Sequence, residues 1–207
     1  MIKSRFDTEF LSVKIGYVFM RLGVSANAWT ILSLFPAIAG FYMLYVHNLP
    51  YALILFAASG FMDVIDGAVA RVTKSVSNLG AFLDGVIDRY VELLLYIGLL
   101  IYLSGTGYIL PTPFLIVLLV FGALMPTFVR AYADHRDVVT DRDDQKKMGG
   151  LIERFERLTL IYAGMLLAVV YHNNLLLIYT VAAVALLSNL TALQRILFVV
   201  GYEKPRE

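Results

Sequence analysis

The chain contains no cysteine. Disulfides and thiolate metal sites are therefore excluded, and cysteine usage says nothing about the redox compartment. Histidine is nearly missing too. His47 and His172 fall in short loops as solvated residues, and His135 sits beside Asp134, where a surface ion pair is its expected role. The three fit no metal-binding spacing. Charge is sparse: only 16% of the 207 residues are charged, against 59% hydrophobic. A soluble domain of this length has no interior large enough to hide so much apolar surface. No repeat, low-complexity tract or separate soluble domain breaks the chain. The apolar runs also lack the alternation of barrel strands, which leaves helices as the way to satisfy the backbone in lipid.

Those runs cover roughly Asn27–Val46, Tyr51–Ala70, Ala81–Leu103, Phe114–Ala133, Leu151–Tyr171 and Leu175–Val200. Each is long enough to cross a hydrocarbon core of about 30 Å as a helix. The expected fold is an all-α integral membrane protein with about six transmembrane helices, one domain over residues 1–207, its bundle over residues 27–200. Residues 1–22 are read as an interfacial amphipathic helix. Phe6, Phe10, Val13, Tyr17 and Met20 recur at three-to-four spacing, with Lys3, Asp7, Lys14 and Arg21 elsewhere. A soluble cap helix has the same pattern. The charged start and this segment give the expectation of no cleavable signal.

The 17 basic residues are distributed asymmetrically. The connections at His47–Pro50, Ser104–Pro113 and Tyr171–Asn174 hold no Lys or Arg. Lys3, Arg5, Arg71, Lys74, Arg136, Arg142, Lys146, Lys147, Lys204 and Arg206 all belong to the opposite ends. The positive-inside rule then predicts a multi-pass cell-membrane protein with both termini on the cytoplasmic side.

Against this apolar background stand four aspartates. Asp63 and Asp66 are three apart and Asp84 and Asp88 four apart, so each pair shares a helix face. An acid at the centre of a membrane helix costs about 2.5–3.5 kcal/mol on insertion scales. Four on neighbouring helices repel unless a cation sits between them, and hard ions such as Mg²⁺ take carboxylate oxygens while leaving positions for phosphate. Gly67, Ala70 and Gly80 lie beside them with almost no side chain, leaving room for a bulky ligand. Solvated interfacial acids are the simpler alternative, but they do not explain two pairs with three small residues in register.

The run Asp63-Val64-Ile65-Asp66-Gly67-Ala68-Val69-Ala70-Arg71, followed by Gly80 to Asp84 to Asp88, resembles the signature of the CDP-alcohol phosphotransferase family at every fixed position. The resemblance implies transfer of a phospho-alcohol group from a CDP-linked donor to a second alcohol, with release of CMP. It assigns metal binding, by two Mg²⁺ or by Mn²⁺, to Asp63, Asp66, Asp84 and Asp88, and general-base duty to Asp88. Around the CDP donor it sets Asn27, Thr30, Asp63, Asp66, Gly67, Ala70, Arg71, Ser77 and Gly80. Asn27-Ala28-Trp29-Thr30 matches a Pro-Asn-x-x-Thr start only in part, because Ala26 replaces the proline. Asn27 would also serve as a helix cap, and Arg71 as a topological anchor. A homodimer is implied by the resemblance alone, and no nucleic-acid partner is expected.

A lipid-linked donor, CDP-diacylglycerol or CDP-archaeol, suits an enzyme lying wholly in the membrane, which makes the acceptor alcohol the soluble partner. Arg130, Arg136, Arg154, Arg157 and Arg195 are candidates for an anionic acceptor, since a guanidinium fork donates two hydrogen bonds to phosphate. The segments Phe128–Asp134 and Ile152–Arg157, with Gln194-Arg195, are similar to the inositol-phosphate branch of the family. Tyr132 departs from that branch, which has an arginine there; Arg136, four residues on, offers a substitute. An inositol 1-phosphate acceptor is expected, with glycerol 3-phosphate, serine and free inositol as alternatives, and an ion-coupled transporter as the alternative of another class. The charged segment Asp137–Gly150 is expected to be a mobile lid over the acceptor.

Overall fold

The computed structural model describes residues 8–107 and 111–202, and among these the regular structure is all helical. The helices are α1 Thr8–Met20, α2 Ala26–Leu32, α3 Leu34–Tyr45, α4 Leu49–Val72, α5 Asn78–Ser104, α6 Pro111–His135, α7 Arg142–Lys147, α8 Arg154–Tyr171 and α9 Asn174–Val200. Lys3, Arg5, Phe6, Asp7, Lys204 and Arg206 lie outside the described residues. Four stretches are long and apolar enough to span a membrane: Ala26–Tyr45, Leu49–Val72, Thr112–His135 and Asn174–Val200. α5 and α8 were the other two expected spans. They have the length, at 27 and 18 residues, but carry Asp84, Asp88, Arg89 and Glu92 in one and Arg154, Glu156 and Arg157 in the other. These two helices are less apolar because they carry charged residues, predicted site residues among them.

The chain divides into two compact units, Met1–Gly98 and Leu99–Glu207. In the first, the expected single helix from Asn27 is broken at Ser33 into α2 and α3. Pro36 explains the break: it has no N–H to offer the Leu32 carbonyl, and its ring crowds that carbonyl. Ser33 is buried at the joint, donates to the Thr30 carbonyl at 2.7 Å and accepts from the Ser59 hydroxyl at 2.8 Å through its own carbonyl. The helix start is capped by Ser25, whose hydroxyl accepts from the Ala28 amide at 3.3 Å, so Asn27 is not the cap. Asn48 caps α4 in the same way.

Trp29, Ile65 and Val69 form a core to which Ile15, Phe19, Val24 and Met62 are added. Phe19 meets Trp29 edge-on at 5.5 Å, the arrangement the ring quadrupole favours. Helix α1 is seated here. Its inward side is Ser12, Ile15, Gly16 and Phe19, while Val13 and Tyr17 of the predicted apolar face are exposed. An exposed apolar face is what a helix lying in the membrane interface presents to lipid.

In the second unit α9 packs against α6 and α8. Segment Asp137–Gly150 is folded rather than loose. Asp141 caps α7 through the amides of Asp143 and Asp144, and Val139 and Met148 are buried with Ala133. Asp144 accepts from Lys147 at 2.6 Å and from the Tyr202 hydroxyl at 2.7 Å. Its carboxyl is held below the usual range by those two hydrogen bonds, Lys147 first. A depressed carboxylate stabilises the folded form above its ordinary pKa, and that support is lost as pH falls through the lowered value. At neutral pH the segment is thus tied to Tyr202 and Ala133.

Candidate active site

Helix α4 delivers Asp63 and Asp66 in its last three turns, and α5 delivers Asp84 and Asp88 in its first three. The turn between them is short. Thr73 ends α4 with its hydroxyl on the Val69 carbonyl at 2.8 Å, Lys74 takes a positive φ of 53°, and the Ser77 hydroxyl accepts from the Gly80 amide at 3.0 Å to start α5. Both acid pairs consequently lie at the same end of the helix hairpin.

Carboxylate oxygens of Asp63, Asp66 and Asp84 lie within 4.8 Å of one another. Asp66 is the most enclosed, at 6% exposure, and its Oδ2 is buried without a hydrogen-bond partner. The Thr30 hydroxyl and the Gly67 amide lie near this carboxyl. Three converging acids with one orphaned, buried oxygen fit a divalent cation: the cation would answer both the mutual repulsion and the unsatisfied lone pairs. Asp88 is also buried, one turn beyond Asp84, and is not part of that close set. Sequence reasoning passed over Glu92, which extends the stripe by another turn and is almost wholly buried; the i, i+4 spacing from Asp88 was the available signal.

The predicted nucleotide residues cluster around the same hairpin. Gly80 lies under Asn27: a Cβ built on it would come within 3.1 Å of both Asn27 Oδ1 and Ser77 Oγ. Gly67 lies under Arg71, whose Nη1 would stand 3.4 Å from an added Cβ. Ala70 is half-buried on the same helix. Gly80→Val would wedge Asn27 away from Ser77. We expect that variant to raise the donor KM at least about fivefold, on the order of one lost hydrogen bond, and steady-state kinetics at varied CDP-lipid would measure it.

In the second unit Arg195 stands among Arg130, Arg157 and Glu153. Arg157 is 3% exposed. Arg195 donates from Nε to the Gly149 carbonyl and from Nη1 to the Pro126 carbonyl, both at 2.8 Å, and its Nη2 lies 3.8 Å from Glu153. It thereby ties α9 to α6 at Pro126 and to Gly149, just beyond α7. The Arg130 Nε is buried without a hydrogen-bond partner. Arg154 is half-buried at the start of α8, whose capping box joins Glu153 and Glu156. Arg130, Arg157 and Arg195 thus gather three guanidinium groups near Glu153, a donor set of the kind that takes an anion. Arg136 is elsewhere: it lines an apolar groove of about 380 Å³ with Phe128, Tyr132 and Val199. Phe128 and Tyr132 stack there at 5.3 Å. Tyr132 and Arg136, four residues apart, line this groove together.

Comparison with known proteins gives the family and the fold. The profile of the CDP-alcohol phosphatidyltransferase family matches residues 23–197. The archaetidylinositol phosphate synthase of Aeropyrum pernix is 31% identical over 87% of this chain and 86% of its own length. That of Pyrococcus horikoshii is 31% identical over 88% and 87%. The fold matches the crystal structure of Mycobacterium tuberculosis phosphatidylinositol phosphate synthase with CDP-DAG bound, at TM-score 0.79 and 22% identity over 95% of this chain and 98% of that one. The same enzyme has been crystallised with manganese and citrate, at TM-score 0.76 and 22% identity over 92% of this chain and 89% of that one. A metal-fitting acid cluster, the complete family signature and a family match over most of its length together identify the chain as a membrane-embedded member of the CDP-alcohol phosphatidyltransferase family.

Proposed function

We propose that the protein transfers a phosphatidyl-type group, diacylglycerol- or archaeol-phosphate, from a CDP-linked lipid to a hydroxyl of inositol 1-phosphate, releasing CMP. The observation that carries the transfer is the converging triad Asp63, Asp66 and Asp84 with its orphaned buried oxygen. The acceptor reading is supported by the grouping of Arg130 and Arg157 with Arg195 and by relatives named archaetidylinositol phosphate synthase. The acceptor oxygen bonds to the lipid-side phosphorus, the bond from that phosphorus to the bridging oxygen breaks, and CMP departs with that oxygen.

Asp88 takes the proton from the acceptor hydroxyl, raising the nucleophilicity of an otherwise poor attacking group. Asp63, Asp66, Asp84 and Asp88 would hold two Mg²⁺, which supply charge neutralisation for the diphosphate when bound. Asn27, Thr30, Gly67, Ala70, Ser77 and Gly80 shape the nucleotide seat, and Arg71 contacts its phosphate. Arg130, Arg154 and Arg157 take the acceptor phosphate. Arg195, committed to two carbonyls, positions them. The site opens to the cytoplasm, with both termini on that side, and the enzyme works as a homodimer.

CMP release by purified protein in lipid micelles tests this. CDP-diacylglycerol and CDP-archaeol are supplied with Mg²⁺, and inositol 1-phosphate, free inositol, glycerol 3-phosphate and serine are added separately. CMP is expected with inositol 1-phosphate and not in Asp88→Asn. Release with a different acceptor only would overturn the arginine reading and leave the family intact.

A further inference from the structure

Arg71 is the fixed arginine of the signature, and its guanidinium is gripped by a residue from outside that signature. It is held by Ser12. The Ser12 hydroxyl oxygen accepts from Arg71 Nη2 at 2.6 Å and from Nε at 3.1 Å. These two N–H groups lie on one edge of the guanidinium plane, so a single oxygen fixes both the position and the tilt of the group. The Nη1 side is left over Gly67, where an added Cβ would stand 3.4 Å away.

Ser12 is 59 residues from Arg71 in sequence, and nothing local brings them together. The packing of α1 on α4 does. One turn after Ser12, Gly16 faces α4 so closely that a Cβ would fall 2.5 Å from Val72 Cγ2 and 2.6 Å from the Ala68 carbonyl oxygen. Only a residue without a side chain permits that separation. A further turn along, Phe19 locks the same face against Trp29 and Phe61 at 5.5 and 6.1 Å. Ser12, Gly16 and Phe19 follow the i, i+4, i+7 rule for one helix face. The opposite side of α1 presents Val13, Tyr17 and Val18 outward.

We propose that Ser12 is a positioning residue for the donor: through Arg71, helix α1 sets the geometry of the donor-phosphate contact. This rests on the reading of Arg71 as that contact. A serine hydroxyl shared between two guanidinium N–H groups preorganises a cation whose flexible stem would otherwise lose several rotors on binding. It also ties donor affinity to the seating of a helix whose outward face is apolar.

The test compares Ser12→Ala, Ser12→Thr and Arg71→Ala by steady-state kinetics at varied CDP-lipid and at varied acceptor, with melting temperatures measured in the same micelles. Ser12→Ala is expected to raise the donor KM roughly tenfold, the effect of one charge-assisted hydrogen bond. The acceptor KM and melting temperature should change little. Ser12→Thr, which keeps the hydroxyl, should restore most of the donor affinity. Arg71→Ala should raise the donor KM further, and adding Ser12→Ala to it should do nothing more, because the serine acts only through the arginine. An unchanged donor KM in Ser12→Ala, with Arg71→Ala impaired, would overturn the proposal and spare the role of Arg71. An unchanged donor KM in Arg71→Ala would overturn both. Equal losses in donor and acceptor KM with a lowered melting temperature would make Ser12 merely structural.

Discussion

Asp66→Asn is expected to lower kcat/KM for CMP release by roughly 10²–10³, the scale of removing one preorganised electrostatic group from a reacting site. Three features single out Asp66 among the four acids. It is the most buried member of the close triad, its Oδ2 has no hydrogen-bond partner, and the Thr30 hydroxyl and Gly67 amide lie near its carboxyl. Asparagine keeps the shape and removes the charge. Without a cation the three carboxylates repel one another in a medium of low dielectric, so neutralising one relieves the fold. The variant should therefore melt at or above the wild-type temperature in chelator. Added Mg²⁺ should stabilise the wild type, as any ligand of the native state does, and should do so weakly or not at all in Asp66→Asn. Loss of activity together with a lowered melting temperature in chelator would instead mark Asp66 as a structural residue.

Arg130→Gln is expected to raise the KM for inositol 1-phosphate by roughly 10–100-fold, corresponding to about 1.5–3 kcal/mol for a hydrogen bond to a charged group. The donor KM should stay within about twofold. Arg130 is the informative choice because its Nε is buried without a partner while Arg195 is committed to backbone carbonyls. Arg195→Gln should behave differently: it breaks the tie between α9, Pro126 and Gly149, so stability falls along with acceptor affinity. Arg136→Gln should leave the acceptor KM unchanged, since Arg136 lines the apolar groove beside Tyr132. Acceptor titrations of the three purified variants, with melting curves, separate these outcomes.

The acid cluster was legible because its signal is periodic. Spacings of three and four on adjacent helices, with Gly67 and Gly80 in register, already imply two faces that meet. The fold class was legible for a similar reason, since apolar length and the absence of basic residues from three connections are properties of the chain alone. What was not legible depends on contacts between distant residues. The break at Ser33 follows from Pro36 but is sealed by Ser59, which no local pattern announces. The Ser12 contact to Arg71 needs the close approach at Gly16. The four-residue spacing of Tyr132 and Arg136 was visible in the sequence, but the apolar groove that they line with Val199 was not. Segment Asp137–Gly150 looked mobile because it is polar. Its order comes from Val139, Met148 and the Asp144–Tyr202 bond, which tie it to residues far along the chain.

If Asp63, Asp66 and Asp84 form a divalent-ion site, CMP release depends on that ion. The most direct measurement is CMP formation by the purified enzyme in micelles with CDP-lipid and inositol 1-phosphate, first stripped with chelator and then titrated with Mg²⁺ or Mn²⁺. The account predicts no CMP in chelator, saturable recovery with either ion, and no recovery in Asp66→Asn. CMP formed at full rate in chelator, or full recovery in Asp66→Asn, would contradict it.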